Sequence, residues 1–352
     1  MVRQVDGQSL PSVFAVSDLA VASIAAAACE VSGLVSDRSG AEPAEVVVDR
    51  WLASQWFAGS IVPQGWQVKP AWDSIAGDYE GADGWIKLHT NAPHHRAAAL
   101  KALGVEADRE KVASAVARWA IDDLESAVLE AGGAAAAMRS VEAWRAHPNG
   151  AAVGSEALIS LQTKGSSDMA EPEVEVEDLS RSKPLAGLKV LDLTRVLAGP
   201  VATRLLAGWG AEVLRIDPAD WSEDGVVPEV TLGKRCAHLD LKTPDGLAAV
   251  ERLLSGADVM VHGYRPEALE RLGLGTERRH ELRPGLVDVS LDAFGWTGPW
   301  STRRGFDSLV QLSSGIADAG MVAAAVDKPK SLPVQALDHA TGYLLAAAAV
   351  RG

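Results

Sequence analysis

Residues 184–217 carry the most informative pattern of this chain, PLAGLKVLDLTRVLAGPVATRLLAGWGAEVLRID. Two apolar stretches flank a segment in which Pro200 can begin a helix, and the alternation continues with a helix from Pro244. The strand candidates are LKVLDL (188–193), EVLRID (212–217), DVMVHG (258–263) and LVDVSL (286–291). Near-continuous apolar strands that alternate with helices are typical of a parallel sheet covered on both faces. We therefore expect an α/β fold with a doubly wound, mostly parallel, Rossmann-like domain at 184–352.

The chain before residue 184 is organised differently. An acidic linker is expected at 163–183, where Ser, Pro and a run of carboxylates occur without helical apolar spacing. Asp83 and Gly84 form a turn signal ahead of a short apolar strand, and helical spacing follows at 110–130. Residues 51–162 are therefore expected to form a small α+β domain.

The net charge argues against several classes of partner. The chain has 352 residues, and its formal net charge is −14. Nucleic acids and anionic membrane surfaces bind basic patches, so neither is expected as a partner. The apolar stretch from Leu19 to Cys29 is shorter than the roughly 20 residues that span a bilayer, and we expect a buried helix there. Two distant cysteines without redox or metal spacing favour a reducing compartment, and we expect the cytoplasm.

The sequence indicates neither a metal nor a dinucleotide cofactor. His89, His94 and His95 occur in LHTNAPHHR, but no cysteine or third-ligand spacing accompanies them, so a polar loop is expected. No GxGxxG motif follows the first strand of the 184–352 region, so the usual dinucleotide fingerprint is absent.

One internal similarity is present. SDLAVASI at 17–24 is similar to LDHATGYL at 337–344, and both stretches run into Ala-rich helices. Chance similarity between two Ala-rich helices is one explanation. The other is a repeated unit, in which AEVVVDR at 44–50 is the strand that follows such a helix.

From Lys183 to Gly352 the sequence resembles the CoA-binding half of family III (CaiB/BaiF) CoA-transferases, the superfamily of formyl-CoA transferase and α-methylacyl-CoA racemase. Five blocks in family order carry this resemblance: 184–217 as quoted, GKRCAHLDLKTPDG (233–246), ADVMVHGYRPEALERLGL (257–274), FGWTGPWSTRRGFDSLVQLSSGIA (294–317) and ALDHATGYLLAA (336–347). WDSIAGDYEGADGWIKLHTN (72–91) and AGGAAAAMRSVEAWRAHPNG (131–150) resemble the smaller domain of the family.

The family resemblance implies a rearranged order of the parts. In the family the smaller domain follows the CoA-binding half, whereas here it precedes it. A shortened tandem of two units or a circular permutation would produce this order, and we favour the tandem. Residues 1–50 would then supply a helix and a strand that complete a CoA-transferase-type sheet. Family subunits interlock as a two-link dimer, so the resemblance also implies a homodimer.

The resemblance assigns a nucleophile. Family III enzymes attack the thioester with an Asp in the block that matches ALDHATG, which makes Asp338 the candidate. From the residues alone, an Asp before a long apolar helix is most often an N-cap. The two roles are compatible, because free N–H groups at a helix start also stabilise developing negative charge.

Coenzyme A, as the acyl-CoA substrate, needs donors for its phosphates, and the resemblance places several residues beside it. The backbone of the loop before Pro200 and residues of the matching loops are the candidates: Leu197, Ala198, Lys234, Arg235, Gly263, Tyr264, Arg265 and Arg271. Two family contacts are not reproduced, because Pro218 and Asp292 stand where formyl-CoA transferase has Arg and Lys.

These features together predict an acyl-CoA:carboxylate CoA-transferase that acts through an aspartyl-acyl anhydride and an aspartyl-CoA thioester. Its partners would be an acyl-CoA and a carboxylic acid acceptor, with no metal. A non-catalytic CoA-binding or structural partner is the alternative from another class, because the order is rearranged and the sequence stops soon after Asp338. An acyl-CoA isomerase or racemase is a third possibility, but Phe306 replaces the His that moves the α-proton in the racemase branch.

Overall fold

The structure is a computed structural model that describes residues 1–163, 183–265 and 267–352. The strands of these residues are β1 (Val2–Val5), β2 (Val46–Asp49), β3 (Gly77–Glu80), β4 (Trp85–Leu88), β5 (Ala135–Ala137), β6 (Lys189–Leu193), β7 (Glu212–Asp217), β8 (Arg235–His238), β9 (Val259–His262) and β10 (Val287–Ser290). The helices are α1 (Val16–Ser39), α2 (Arg50–Ala58), α3 (Pro93–Leu103), α4 (Arg109–Val116), α5 (Ile121–Glu130), α6 (Val141–Ala146), α7 (Pro148–Ser155), α8 (Ala198–Gly208), α9 (Val227–Val230), α10 (Pro244–Ser255), α11 (Thr276–Leu282), α12 (Asp307–Ser313), α13 (Ile316–Ala324) and α14 (Ala336–Arg351).

The main sheet has five parallel strands in the order β10-β9-β6-β7-β8. Its central strand β6 sends Val190 to one face and Leu191 to the other, because successive side chains of a strand alternate. Val190 packs with Leu206 of α8 and Ala346 of α14, and Leu191 packs with Leu254 of α10. Both faces are therefore covered by helices, and the predicted mixed α/β class with a mostly parallel sheet is confirmed.

The edge strand β8 was not predicted from the sequence. Its four residues, RCAH, are all exposed and contain no apolar run, so the pattern that marks buried strands is missing. Lys234 and Arg235 were instead expected in a loop that binds the cofactor. The presence of this strand changes the role of both residues.

Residues 77–137 contain a second, antiparallel sheet in the order β3-β4-β5. Helices α3, α4 and α5 cover it, and Ile86 and Leu88 of β4 are fully buried in the shared apolar core. The arrangement is α+β in kind. The boundaries predicted for this domain, 51–162, stay predictions, and the predicted linker at 163–183 lies outside the described residues except for its two end residues.

The first fifty residues form a small β-α-β arrangement. Strand β2 pairs in parallel with β1, not with a strand of the five-stranded sheet. Helix α1 packs along α14 and shares an apolar core with α8 and α14. Within this chain, therefore, residues 1–50 contribute a helix to the main layer but no strand to its sheet. Completion of a CoA-transferase-type sheet by these residues stays a prediction.

Helix α1 is longer than the predicted apolar stretch of 19–29. It has 24 residues and is, by length and composition alone, long and apolar enough to cross a membrane. About a third of its most apolar window is buried inside the protein. Core helices of soluble proteins and signal sequences meet the same criterion, so this is weak evidence for a membrane span.

Candidate active site

Asp338 is the third residue of α14, and the packing of that helix decides which way it faces. Gly342 lies one turn after Asp338 on the same side of the helix. A Cβ atom at Gly342 would lie 2.6 Å from the carbonyl oxygen of Ala198, so only glycine allows α14 to approach α8 this closely. The side of α14 that carries Asp338 is therefore turned toward the loop that follows β6.

The carboxylate of Asp307, not that of Asp338, caps α14. The Asp307 carboxyl is 3% exposed, and its Oδ2 accepts hydrogen bonds from the backbone N–H of Leu337 (2.9 Å) and of Asp338 (3.1 Å). Its Oδ1 accepts from Nε2 of Gln311, which is itself fixed because its Oε1 accepts from the backbone N–H of Leu332 at 2.7 Å. The interpretation of Asp338 as an N-cap is thus wrong. The cap is the side chain of Asp307, and no side chain of α14 caps its own helix.

Burial and the charge of Asp307 together set the ionisation of Asp338. Burial raises the pKa of Asp307 to about 6, although the backbone N–H of Asp338, the Gln311 amide and the charge of Lys87 all favour its ionised form. Burial, and then the charge of Asp307, raises the pKa of Asp338 well above its usual value. Lys87 comes from β4 and also forms a buried ion pair with Asp78 at 2.8 Å. An aspartate held in this way is a stronger base and nucleophile than one in water.

Asp307 was missed as a functional residue in the sequence. The one available signal was the spacing of Asp307 and Gln311 in FDSLVQ, because residues four apart meet on one helix face. That spacing predicts the contact between the two side chains. It does not reveal that the carboxylate also reaches a helix that begins 29 residues later.

Asp18 gives an internal comparison for Asp338. It is also the third residue of its helix, and the backbone before each helix makes the same turn, with Val16 and Ala336 N–H bonded two residues back at 2.8 Å. The surroundings differ, because Arg50 holds both carboxylate oxygens of Asp18 at 2.6 and 3.1 Å. Hydrogen bonding from Arg50 lowers the pKa of Asp18. Two locally similar aspartates therefore have opposite electrostatics.

The loop after β6 lies at the carboxyl edge of the sheet and holds Leu197 and Ala198, both buried. Val196 has a φ of 66°, which is strained for a β-branched residue, and its N–H donates to Glu223 at 2.7 Å. Leu197 is the N-cap residue of α8, so the backbone N–H groups that begin this helix face the same edge. The structure thus places these two predicted contacts beside the face of α14 that carries Asp338.

Three arginines gather at this edge. Arg195 lies between the rings of Trp221 (4.9 Å) and Tyr264 (5.2 Å) and donates to the Tyr264 hydroxyl at 3.0 Å. Burial, followed by the nearby charge of Arg265, lowers the pKa of Arg304. Among the described residues, no ion pair joins Arg195, Arg265 or Arg304 to a carboxylate. These guanidinium groups can bind an anionic ligand, and neither Arg195 nor Arg304 is predicted from the sequence.

Two predicted cofactor residues need correction. The Lys234 side chain is 0% exposed, and its ammonium donates to Asp192 (2.9 Å), to Thr203 (2.6 Å) and to the carbonyl of Pro200 (3.0 Å). It holds β6 and α8 together inside the fold, because a buried ammonium must be paired. Arg235 begins β8 at the amino edge of the sheet, opposite the β6 loop, and pairs with Glu212 at 3.5 Å.

The remaining predicted residues lie after β9. Gly263 and Tyr264 follow this strand at the carboxyl edge, and Arg265 is exposed and donates to the Thr302 carbonyl at 3.4 Å. Arg271 lies in a 3-10 turn (Glu270–Leu272), is exposed, and pairs with Glu267 at 3.3 Å. Gly263, Tyr264 and Arg265 are therefore on the same edge as the β6 loop. No group of three or more metal-ligating side chains occurs in the described ranges.

Comparison with known proteins assigns the half of the chain that carries this site. Residues 185–351 match the family model described as CoA-transferase family III. This part of the chain belongs to CoA-transferase family III. Residues 185–351, the family III domain, include the β6 loop, Asp307 and Asp338.

Two curated relatives of this chain carry CoA-transferase names. Succinyl-CoA–D-citramalate CoA-transferase of Chloroflexus aurantiacus is 36% identical over 147 residues, which cover 38% of this chain and 37% of that protein. Human succinyl-CoA:glutarate CoA-transferase is 37% identical over 152 residues, which cover 40% and 35%. The crystal structure of a CAIB/BAIF family protein from Brucella suis is 31% identical, with a TM-score of 0.40 and coverage of 45% and 46%. The chain spans little more than a third of the length of the two curated relatives.

Proposed function

We propose that the family III domain transfers CoA from an acyl-CoA to a carboxylic acid, with Asp338 as the nucleophile. The observation that carries this proposal is the position of Asp338 beside the buried carboxylate of Asp307, on the side of α14 that faces the β6 loop. An aspartate at a helix start, with a raised pKa and no side-chain hydrogen bond or ion pair to any described residue, has the properties that attack on a thioester requires.

The reaction would proceed through covalent intermediates on the Asp338 carboxylate. The Asp338 carboxylate attacks the thioester carbonyl carbon, the C–S bond breaks, and CoA leaves as its thiolate while an aspartyl-acyl anhydride forms. The thiolate attacks the aspartyl carbonyl carbon, which releases the donor acid as a carboxylate and leaves an aspartyl-CoA thioester. An acceptor carboxylate then attacks the carbonyl carbon of that thioester, the C–S bond breaks, and CoA leaves as its thiolate while a second anhydride forms between Asp338 and the acceptor. The thiolate attacks the acyl carbon of the acceptor, which forms the new acyl-CoA and frees the Asp338 carboxylate. Acyl-CoA then leaves.

Asp307 would favour the attack through charge. The charge of Asp307 disfavours a negative charge on Asp338, and Asp338 loses that charge when it becomes acylated. The repulsion is therefore present before the attack and absent from the anhydride, which raises the reactivity of Asp338. The N–H groups at the start of α14 would also stabilise negative charge on the acyl oxygen.

The CoA phosphates are assigned to the arginines of the carboxyl edge. Arg304→Ala is expected to weaken CoA binding by roughly tenfold or more, because a hydrogen bond to a charged group contributes about 1.5–3 kcal/mol. Arg235→Ala, at the opposite edge of the sheet, is the matched control and should leave CoA affinity unchanged. Isothermal titration with CoA at two salt concentrations measures the CoA affinity of both variants. Equal losses in the two variants, or none in either, would contradict this placement of the phosphates.

The nucleophile can be tested by trapping the acyl-enzyme. Incubation with succinyl-CoA, butyryl-CoA and other acyl-CoAs should give a covalent adduct on the peptide that contains Asp338, and hydroxylamine should remove it, because anhydrides and thioesters are both sensitive to this reagent. Intact-protein and peptide mass spectrometry measure the adduct. CoA binding without any adduct or turnover would favour a non-catalytic CoA-binding or structural partner instead.

A further inference from the structure

A buried phenyl ring, that of Phe57, packs against the helix that carries the proposed nucleophile. Phe57 lies near the end of α2 and is 1% exposed. Its ring stacks on the ring of His339 with centroids 5.2 Å apart and on that of Tyr343 at 5.8 Å. His339 and Tyr343 are four residues apart, so they lie on one face of α14. This face begins at the residue directly after Asp338.

The segment that carries the phenyl ring is anchored on both sides of it. Before the ring, the buried Ser54 hydroxyl donates to the hydroxyl of Ser17 in α1 at 2.8 Å. After the ring, the Ser60 hydroxyl accepts from Arg204 of α8 at 2.6 Å, and the same guanidinium pairs with Glu229 at 3.0 Å. The backbone N–H of Ser60 also donates to Glu229 at 3.1 Å. The ring is therefore fixed relative to α8, the helix that follows the β6 loop.

Contacts on two different sides of α14 define the rotation of this helix about its axis. On the side that carries Asp338, Gly342 allows the close approach to Ala198. Successive residues of an α-helix are about 100° apart around the axis, so the side of His339 is a different one. That second side meets the phenyl ring. Rotation of α14 that turned the Asp338 carboxylate away from the β6 loop would have to separate the stacked rings.

We propose that Phe57 is a positioning residue for the Asp338 nucleophile, because its stack on His339 keeps the first turn of α14 at the rotation from which the carboxylate faces the β6 loop. This inference rests on the proposed function and adds a residue that acts through α14 rather than on the substrate. Loss of the stack would misplace the carboxylate, and a misplacement of about 1 Å can cost on the order of a hundredfold in rate. CoA binding would be spared, since the phosphates are assigned to the arginines of the carboxyl edge.

The rate of acylation tests this role. Phe57→Ala and His339→Ala should each lower the rate at which Asp338 is acylated by saturating acyl-CoA by about tenfold or more, with the Kd for CoA unchanged. The double variant should be no slower than the slower single variant, because both changes remove the same stack. His339→Phe keeps a ring in the stack and should retain most of the rate. Burial lowers the pKa of His339 to about 4, so the ring that this variant replaces is neutral near pH 7.

The measurement is rapid quenching followed by peptide mass spectrometry, with whichever of succinyl-CoA and butyryl-CoA acylates the wild-type protein faster. Leu254→Ala, on the opposite face of the main sheet, is the control for a general loss of stability. It should lower the melting temperature but leave the acylation rate of the folded protein unchanged. Phe57→Leu fills most of the space of the ring, which guards against failure to fold, and should lower the rate by a smaller factor than Phe57→Ala.

The outcomes separate this inference from the proposed function. An unchanged acylation rate in Phe57→Ala, a loss of CoA affinity as large as the loss of rate, or an equal loss of rate in Leu254→Ala would each overturn the positioning role while Asp338 remains the acylated residue. A wild-type protein that is acylated at another residue, or not at all, would instead refute the proposed function and this inference with it.

Discussion

Asp338→Asn is expected to lower CoA transfer by on the order of 10⁴-fold or more, because the amide has nearly the same shape but is not an anionic nucleophile. CoA affinity should be retained, since the phosphate contacts are assigned to the arginines of the sheet edge. The labile adduct should disappear from the Asp338 peptide. Steady-state assays, CoA titration and peptide mass spectrometry check the three expectations.

The chain supplies its own control for this substitution. Asp18→Asn removes the aspartate at the same position of the similar helix α1, where Arg50 already holds the carboxylate. Transfer should be unaffected by this change. Turnover of Asp338→Asn within tenfold of the wild type, or equal losses in both variants, would remove Asp338 from the role of nucleophile.

Asp307→Asn is expected to shift the acid limb of the pH–rate profile to lower pH. The direction follows from the charges. Burial and, after it, the charge of Asp307 raise the pKa of Asp338, so without that charge Asp338 ionises at lower pH and stays reactive there. The plateau rate should fall, because a carboxylate of lower pKa is a weaker nucleophile. Measurements of kcat/KM between pH 4.5 and 8 test both expectations.

Two further variants isolate the effect of Asp307. Asp307→Ala leaves the N–H groups of Leu337 and Asp338 without their acceptor, so it should also lower the melting temperature, whereas the Asn variant keeps an acceptor oxygen. Asp318→Asn, on α13, removes a carboxyl that makes no contact with the α14 cap and should leave the profile unmoved. An acid limb that stays in place in Asp307→Asn would show that this residue does not govern the ionisation of Asp338.

The residues whose roles differ from the sequence prediction, or that it missed, have a common physical cause. Lys234 and Arg235 are adjacent basic residues, and only pairing of β8 beside β7 sends one into the core and the other to the amino edge. The role of Asp307 as the cap of α14 depends on the packing of α12 against the start of α14, which the sequence does not show. Polar side chains take their role from the groups that surround them, and those groups come from distant parts of the chain.

The sequence by itself determined the parallel α/β layer and the candidate nucleophile. Strands β6, β7, β9 and β10 lie where their apolar stretches predicted them, because burial on both faces leaves a local signature in each strand. The family resemblance singled out Asp338. Tertiary structure alone decided that β2 pairs with β1, and that Asp307 caps the helix of Asp338 and adds to the raised pKa of that residue. It also decided that the rings of His89 and His95 contact Phe306. Each of these depends on contacts between segments far apart in the chain, and the local spacing of residues carries no record of such contacts.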